Sequence, residues 1–149
     1  MPPDPFLLPE EPSAAAAIAA IADDLQIFDD WMERYQFIIE MGRKLPPFPD
    51  EWANDAHRVP GCQSRVWMEA ILRDDKLFFA GISDAAIVSG LIALLLRVYS
   101  GRSPDEILAT DPVFLKDLGL LEALSTNRGN GIAAMARKVR EVAAANRDP

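Results

Sequence analysis

The sequence predicts an α+β fold in a single domain: a small antiparallel β-sheet packed against several α-helices. Three observations predict it. The chain has 149 residues, half of them apolar, which is enough for one hydrophobic core. The spacing of apolar residues is helical in most of the chain but changes to a period of two between residues 65 and 82. There is no internal repeat, so a second domain is not expected.

The N-terminal segment is set apart by its composition. Five prolines among the first twelve residues predict a flexible acidic tail over 1–12, followed by one domain over 13–149. Residues 1–30 contain seven carboxylates and no Lys or Arg, whereas the remaining 119 residues carry 16 acids and 15 bases. A net charge of −8 leaves no basic excess to neutralise phosphates, which argues against non-specific nucleic-acid binding.

Two amphipathic helices are predicted next. Ser13 is a candidate N-cap for the first, and Asp29 or Asp30 for the second. The proline-rich stretch 45–49 ends the second helix. The predicted apolar stripes are Ile18, Ile21, Ala22, Leu25 and Phe28 on the first helix, and Trp31, Tyr35, Ile38 and Gly42 on the second.

The alternation of apolar residues in the middle of the chain predicts a β-hairpin. After a loop over 46–60, apolar residues alternate with others along the first strand, Asp74-Asp75 makes the turn, and 77–82 form the second strand. One face of the first strand is wholly apolar and must be covered: Val66, Met68, Ala70 and Leu72.

The covering element is predicted to be a helix over residues 85–99 that is apolar on nearly every side. Ser83-Asp84 is its expected N-cap, and Gly101 its end. Gly90 lowers helix propensity, which close packing against a neighbouring element would offset.

Three further helices complete the predicted fold. One begins at Ser103-Pro104, a second begins at Asp111-Pro112 and ends near Gly119, and the last is amphipathic. The buried stripe of the last helix is expected to be Ile132, Met135, Ala136, Val139, Val142 and Ala143, with Arg137, Lys138 and Arg140 outside it.

The counts of metal-binding residues restrict the chemistry. The chain has one cysteine, Cys62, and one histidine, His57. An internal disulfide, a multi-thiolate metal site and a multi-histidine site are therefore excluded for this chain alone, and no metal or cofactor is predicted. The sequence shows neither a signal peptide nor an apolar run of membrane-spanning length, so a cytoplasmic protein is expected.

Cys62 lies in the stretch VPGCQSRVW, directly after a Pro-Gly pair. Pro60 and Gly61 fit the central positions of a type II turn, which places the thiol at the end of a strand rather than inside it. A free cysteine is more often a buried packing residue, but the turn and the polar residues after it favour a presented thiol. Its reactivity needs nearby positive charge, and Arg58, His57 and Arg65 are close in sequence.

Four segments, in this order and spacing, resemble the SufE family of sulfur-acceptor proteins: WMERYQFIIEMGRKLPPFP, VPGCQSRVW, ISDAAIVSGLIALLLRVYSGRSPDEI and LSTNRGNGIAAMARKVR. The similarity extends from about Trp31 to Ala145. It implies a SufE-like, IscU-like fold without a cofactor of its own.

The resemblance also implies a function. Such a protein acts as a sulfur-transfer partner rather than as a stand-alone enzyme. Its cysteine takes persulfide sulfur from a pyridoxal-phosphate-dependent cysteine desulfurase of the SufS type, and thereby activates the desulfurase. It then passes the sulfur to a SufB-containing scaffold complex that assembles iron–sulfur clusters. No nucleic acid or membrane is an expected partner.

Residue by residue, Cys62 matches the sulfur-accepting cysteine of the family. Gly61, Gln63 and Ser64 match the surrounding loop, and Trp67 matches the strand aromatic. Arg65 and Arg128 are candidates for stabilising a thiolate or persulfide, with a surface arginine at a helix start as the alternative for Arg128. Asp84 is expected to be a helix cap whose exposed end touches a partner.

Three other functions stay open at this point. The first is a CsdE-like acceptor that serves a different desulfurase or sulfur pathway. The second is a non-catalytic helical adaptor in which Cys62 only packs. The third is a Cys–His hydrolase that would use His57, which is not part of the family motif.

Overall fold

The chain folds around one antiparallel hairpin and one central helix. A computed structural model describes residues 4–61, 64–120 and 126–147, except for the side chains of residues 126–130. The elements in chain order are α1 (Ala14–Gln26), α2 (Trp31–Arg43), β1 (Val66–Arg73), β2 (Lys76–Ser83), α3 (Ala86–Tyr99), α4 (Pro104–Ala109), α5 (Phe114–Asp117) and α6 (Thr126–Ala145). Two short 3-10 turns, Asp50–Trp52 and Asp55–His57, lie between α2 and β1. The α+β class is confirmed.

Helix α3 is the centre of the core. All of its residues are buried except Ala86 and the half-buried Arg97. It packs against α2 on one side and against β2 on another, and α1 and α6 also contact it. The prediction that this helix packs against the sheet is confirmed for β2.

The contact between α2 and α3 depends on two glycines. A Cβ added to Gly42 would lie 2.6 Å from the backbone nitrogen of Gly90, and a Cβ added to Gly90 would overlap the carbonyl oxygen of Ile38. The predicted close packing at Gly90 is confirmed. The two helix backbones approach each other more closely than any residue with a side chain would permit.

The hairpin has the predicted turn. Its register runs from Val66↔Ser83 to Arg73↔Lys76, and Asp74 and Asp75 both have positive φ, 51° and 66°. Two left-handed residues in succession are typical of the type I′ turn, which suits the twist of a hairpin. The apolar face of β1 is covered only near its start, because Val66 and Met68 are buried whereas Leu72 is 48% exposed.

Three of the predicted helix starts are confirmed by their caps. Ser13 Oγ accepts a hydrogen bond from the backbone nitrogen of Ala16, Asp30 Oδ1 from that of Glu33, and Ser103 Oγ from that of Glu106. These bonds satisfy amide groups that have no partner within the helix.

Three predicted element boundaries are wrong. Phe28 lies beyond α1, which ends at Gln26, and α5 begins at Phe114 rather than at Asp111. Helix α3 has Ala85 as its N-cap residue, with no side-chain cap. Asp84 is therefore not a cap, and its actual partner lies in the loop described below.

The N-terminal segment makes specific contacts. The backbone nitrogen of Leu7 donates to the carbonyl oxygen of Phe79 at 2.9 Å, and Ser100 Oγ donates to that of Leu7 at 2.6 Å. Phe6 is buried, and Glu11 pairs with Arg97 at 2.7 Å. Flexibility of residues 1–12 stays a prediction, and these contacts argue against it for residues 6–11.

Candidate functional site

The candidate site is a loop at the start of β1. The backbone nitrogen of Val59 donates to the carbonyl oxygen of Val66 at 2.9 Å, and Arg58 forms an antiparallel bridge with Trp67. This backbone pairing therefore closes the base of the segment 60–65, called the candidate loop below. Cys62 and Gln63 lie outside the described residues, so the site is characterised by its two flanks.

The first flank confirms part of the predicted turn. Gly61 has φ +85°, the left-handed conformation that the third residue of a type II turn requires. A Cβ on Gly61 would lie 3.4 Å from Cβ of Ala134. The turn residue before Cys62 therefore lies directly against α6.

The second flank is fixed by Ser83 and Asp84. The backbone nitrogen of Arg65 donates to Asp84 Oδ1 at 3.1 Å. Ser83 Oγ donates to the carbonyl oxygen of Arg65 at 2.7 Å, and the backbone nitrogen of Asp84 donates to the same oxygen at 3.3 Å. The pairing of β1 with β2 is thus extended one step towards the loop.

This geometry explains why Asp84 does not cap α3. Its carboxylate is occupied by the amide of Arg65, which lies just beyond the last strand pair, Val66↔Ser83. The connection into the helix is held instead by Ser89, whose Oγ accepts from the backbone nitrogen of Ser83 at 3.0 Å and donates to its carbonyl oxygen at 3.1 Å. Asp84 remains exposed, as a residue that touches a partner needs to be.

Positive charge borders the loop from the side of Arg58. This residue is exposed and lines an opening of about 360 Å³ together with Asp55 and Val59–Gly61. Arg65 is also exposed, and Ser64 is half-buried. Arg128 belongs to the first turns of α6, but its side chain lies outside the described residues.

Two parts of this arrangement were not predicted from the sequence. Arg58 was only one of several nearby bases, and no sequence signal showed that it lines the opening at Gly61. Ser83 was expected to lie at a helix start, whereas its hydroxyl holds the loop. For Ser83 a signal existed, because the residue directly follows the second strand and faces the residue at which the first strand begins.

His57 has a structural environment. Its side chain is only 20% exposed, its Nε2 lies 2.8 Å from Glu69 Oε2, and its Nδ1 lies 3.0 Å from Asn54 Oδ1. The ring also stacks on Trp52, with 5.9 Å between centroids. Both ring nitrogens are engaged, so His57 lacks the free nitrogen that a general base for a thiol requires.

The described part of the chain holds neither a cluster of metal-binding side chains nor a membrane-spanning helix. There, no three His, Cys, Asp or Glu side chains are grouped closely enough to hold a metal ion. Within the same residues, no helix has both the length and the apolar composition needed to cross a bilayer.

The chain resembles known proteins in both sequence and structure. The family described as "SufE: Fe-S metabolism associated domain" matches residues 19–143. An uncharacterized SufE-like protein of Rhizobium etli is 40% identical over 134 residues, which is 86% of this chain and 90% of that protein. A second uncharacterized SufE-like protein, from Rhizobium meliloti, is 38% identical over 128 residues, 83% of this chain and 91% of its own length.

A solved structure shares the fold. The solution structure of a hypothetical protein from Thermus thermophilus superposes with a TM-score of 0.72 at 22% identity, covering 87% of this chain and 95% of that one. The family match covers well over half of the chain. The chain therefore belongs to the SufE family, whose domain is associated with iron–sulfur metabolism.

Proposed function

We propose that this protein accepts sulfur from a cysteine desulfurase through Cys62 and delivers it to iron–sulfur cluster assembly. The observation that carries the proposal is the loop over 60–65. It is closed at its base by Val59–Val66, fastened at its far side by Asp84, and carries the single cysteine of a SufE-family chain.

The chemistry is thiol–persulfide exchange. The Cys62 thiolate attacks the outer sulfur of the desulfurase persulfide, a new S–S bond forms on Cys62, and the desulfurase thiolate leaves as the old S–S bond breaks. Oxidation levels balance, since one persulfide is consumed and one is formed. The protein needs no metal and no redox cofactor for this step.

A single cysteine suits a sulfur carrier. A second thiol near Cys62 would attack the persulfide and close a disulfide, which would release the sulfur as sulfide. The sequence has no second cysteine, so this loss within the chain is impossible. The carrier can therefore hold the persulfide until an acceptor thiolate of the scaffold attacks it.

The residues around Cys62 are proposed to support the exchange in distinct ways. Gly61 provides the left-handed turn, and Gln63 and Ser64 complete the loop. Arg65, Arg58 and Arg128 are proposed to favour the thiolate and the persulfide by their positive charge. Asp84, exposed at the end of β2, is proposed to contact the desulfurase.

The partner is proposed to be a pyridoxal-phosphate-dependent desulfurase of the SufS type, and the acceptor a SufB-containing scaffold. A CsdE-like role with a different desulfurase uses the same chemistry. Affinity capture of the native desulfurase on the immobilised protein, followed by its identification, distinguishes these two roles.

The proposal is tested by desulfurase turnover. Alanine release from cysteine is measured for a SufS-type desulfurase alone, with the protein, and with its Cys62→Ser variant. We expect the wild type to accelerate multiple turnovers and the variant to have no effect. Equal acceleration by both would contradict sulfur acceptance and support an adaptor. His57→Ala should retain the acceleration, whereas its loss in a folded variant would favour a Cys–His mechanism.

A further inference from the structure

The outer edge of β1 is unpaired over most of its length. On its inner side β1 pairs with β2 throughout, whereas on its outer side, among the residues that the structure describes, only Val66 and Trp67 meet another segment, at Arg58 and Val59. Backbone groups of alternate residues point to the same side of a strand. Because Val66 bonds outward to Val59, Ala70 and Leu72 also point their amide and carbonyl groups outward. In the described part of the chain no backbone segment pairs with them there.

The outer edge of β2, by contrast, is covered. Leu77 donates to the carbonyl oxygen of Arg102 at 2.8 Å, and Phe79 accepts from the backbone of Leu7 and donates to Ser100 Oγ at 2.9 Å. Within the described residues, the chain thus covers the outer edge of β2 and leaves most of the outer edge of β1 open.

A side chain occupies the open edge. Glu69 Oε1 accepts a hydrogen bond from the backbone nitrogen of Ala70 at 2.8 Å, while Oε2 of the same carboxylate bonds to His57 Nε2. A charged side chain on an edge strand prevents indiscriminate pairing with other strands. The carboxylate is 38% exposed, so the carbonyl oxygen of an incoming strand can take its place at the amide of Ala70.

A groove runs along this edge between the sheet and α6. Its volume is about 280 Å³. Met68, Ala70, Phe79 and Val142 give it an apolar floor, and Arg58 and Lys138 stand exposed at its rim. Glu69 also lines it, but its carboxylate is bonded to His57 and to the amide of Ala70. Among the described residues no carboxylate pairs with either base. Two unpaired bases on one groove are notable in a chain whose net charge is −8.

We propose that this groove binds an extended acidic segment of a partner protein, which adds a strand to the outer edge of β1. Strand addition supplies backbone hydrogen bonds, and alternate side chains of the added segment supply specificity. Its apolar side chains face the floor, and its carboxylates face Arg58 and Lys138. A second copy of this chain is a poor occupant, because the β1 edge that it would add carries one carboxylate, Glu69, beside the two bases Arg58 and Lys138. The proposal does not rest on sulfur transfer.

The probe for this site is a nonapeptide of alternating glutamate and valine with blocked ends, titrated into the isotopically labelled full chain and followed by NMR. We expect shifts and slowed hydrogen exchange at the amides of Ala70 and Leu72. Lys138→Glu should weaken binding by about tenfold, because it replaces an attraction with a repulsion. Arg137→Glu is the matched control: this exposed base is the next residue of α6 but does not line the groove, so binding should be unchanged.

Three results would overturn the proposal. One is equal binding of the alternating lysine–valine peptide, which would show that charge does not select the occupant. Another is equal binding of the glutamate peptide methylated at every backbone nitrogen, which can donate no backbone hydrogen bond to β1 from either edge. The third is the absence of shifts along β1 at millimolar peptide.

Discussion

Asp84 fastens one side of the candidate loop, at Arg65, to the end of β2. Its carboxylate accepts from the amide of Arg65, 19 residues earlier in the chain, and its own amide donates to the carbonyl of the same residue. The end of the loop is thereby fixed to the end of β2. A partner that contacts Asp84 can therefore alter the loop through one hydrogen bond.

Replacing Asp84 by Ala should loosen the loop without unfolding the protein. The amide of Arg65 loses its acceptor, so its hydrogen exchange should accelerate, and the free energy of unfolding should fall by roughly 1 kcal/mol. NMR-detected exchange and urea denaturation measure the two effects. Asp23→Ala, at an exposed position of α1, is the control and should change neither. Unchanged exchange at Arg65 in Asp84→Ala would contradict the role given to this carboxylate.

Tyr99 should make the free energy of unfolding fall as the pH rises into the alkaline range. Burial raises the pKa of Tyr99 to about 12, against a smaller lowering effect of Arg140, and its hydroxyl donates to the carbonyl oxygen of Thr110 at 2.8 Å. In the unfolded chain the pKa of tyrosine is about 10. The stabilisation is present below pH 10 and is lost between pH 10 and 12, because the unfolded state releases its proton first.

The decrease in the free energy of unfolding that is attributable to Tyr99 should reach roughly 2 kcal/mol at pH 12. Urea denaturation of the wild type and of Tyr99→Phe, at several pH values from 8 to 12, measures it. The difference in unfolding free energy between the two should shrink as the pH rises. A difference that stays constant over this range would show that the hydroxyl titrates equally in both states.

At the scale of elements, the close contact of α2 with α3 fixes the position of α3, the helix that packs against the sheet. Gly42 and Gly90 lie at the crossing point, where the backbones touch. The helical spacing of Gly42 with Ile38 showed which face of α2 turns inward. The sequence alone did not identify Gly90 as the residue that Gly42 contacts, because no local pattern shows which two helices pack together.

Gly90→Ala separates helix propensity from packing. Propensity alone favours alanine by about 1 kcal/mol. The added methyl group would overlap the Ile38 carbonyl oxygen, and overpacking of this kind costs about 1–3 kcal/mol or more. We therefore expect a clear loss of stability in thermal and urea denaturation. An unchanged or stabilised Gly90→Ala variant would show that the two helices are not in close contact.

At the scale of the whole molecule, the features predicted correctly from the sequence are those that depend on local spacing. The period of two and the Asp74-Asp75 turn determine the hairpin. Ser13, Asp30 and Ser103 mark helix starts because each side chain accepts a hydrogen bond from the backbone nitrogen three residues later. The contacts of the N-terminal segment were missed because they are non-local and its proline-rich composition has no period. Leu7 pairs with Phe79, and Arg97 attracts Glu11 and Asp24 from two separate segments.

The same distinction applies to the site. The cysteine, its turn and its family motif are contiguous in the sequence and could be recognised there. The partners of Asp84 and of His57 are brought to them by the pairing of strands. Local patterns therefore led to a helix cap for Asp84 and did not indicate the contact of His57 with Glu69.

Deleting residues 1–11 distinguishes an anchored segment from a flexible tail. The deletion removes the buried Phe6, the bonds of Leu7 and a carboxylate partner of Arg97. Burial of one large side chain alone contributes about 2 kcal/mol. In a chain of this size we expect Tm to fall by roughly 5 °C or more. Deletion of residues 1–3, which removes none of these contacts, is the control. An unchanged Tm for the longer deletion would support the flexible tail.

Sulfur acceptance by Cys62 is tested most directly by intact-mass spectrometry. The protein is incubated with a SufS-type desulfurase and cysteine and is separated from them without reductant. Its intact mass is then measured. The proposed function predicts a mass increase of one sulfur atom, located at Cys62 by peptide mapping, reversed by reductant and absent in Cys62→Ser. An unchanged mass of the wild type, under conditions in which the desulfurase itself carries a persulfide, would contradict it.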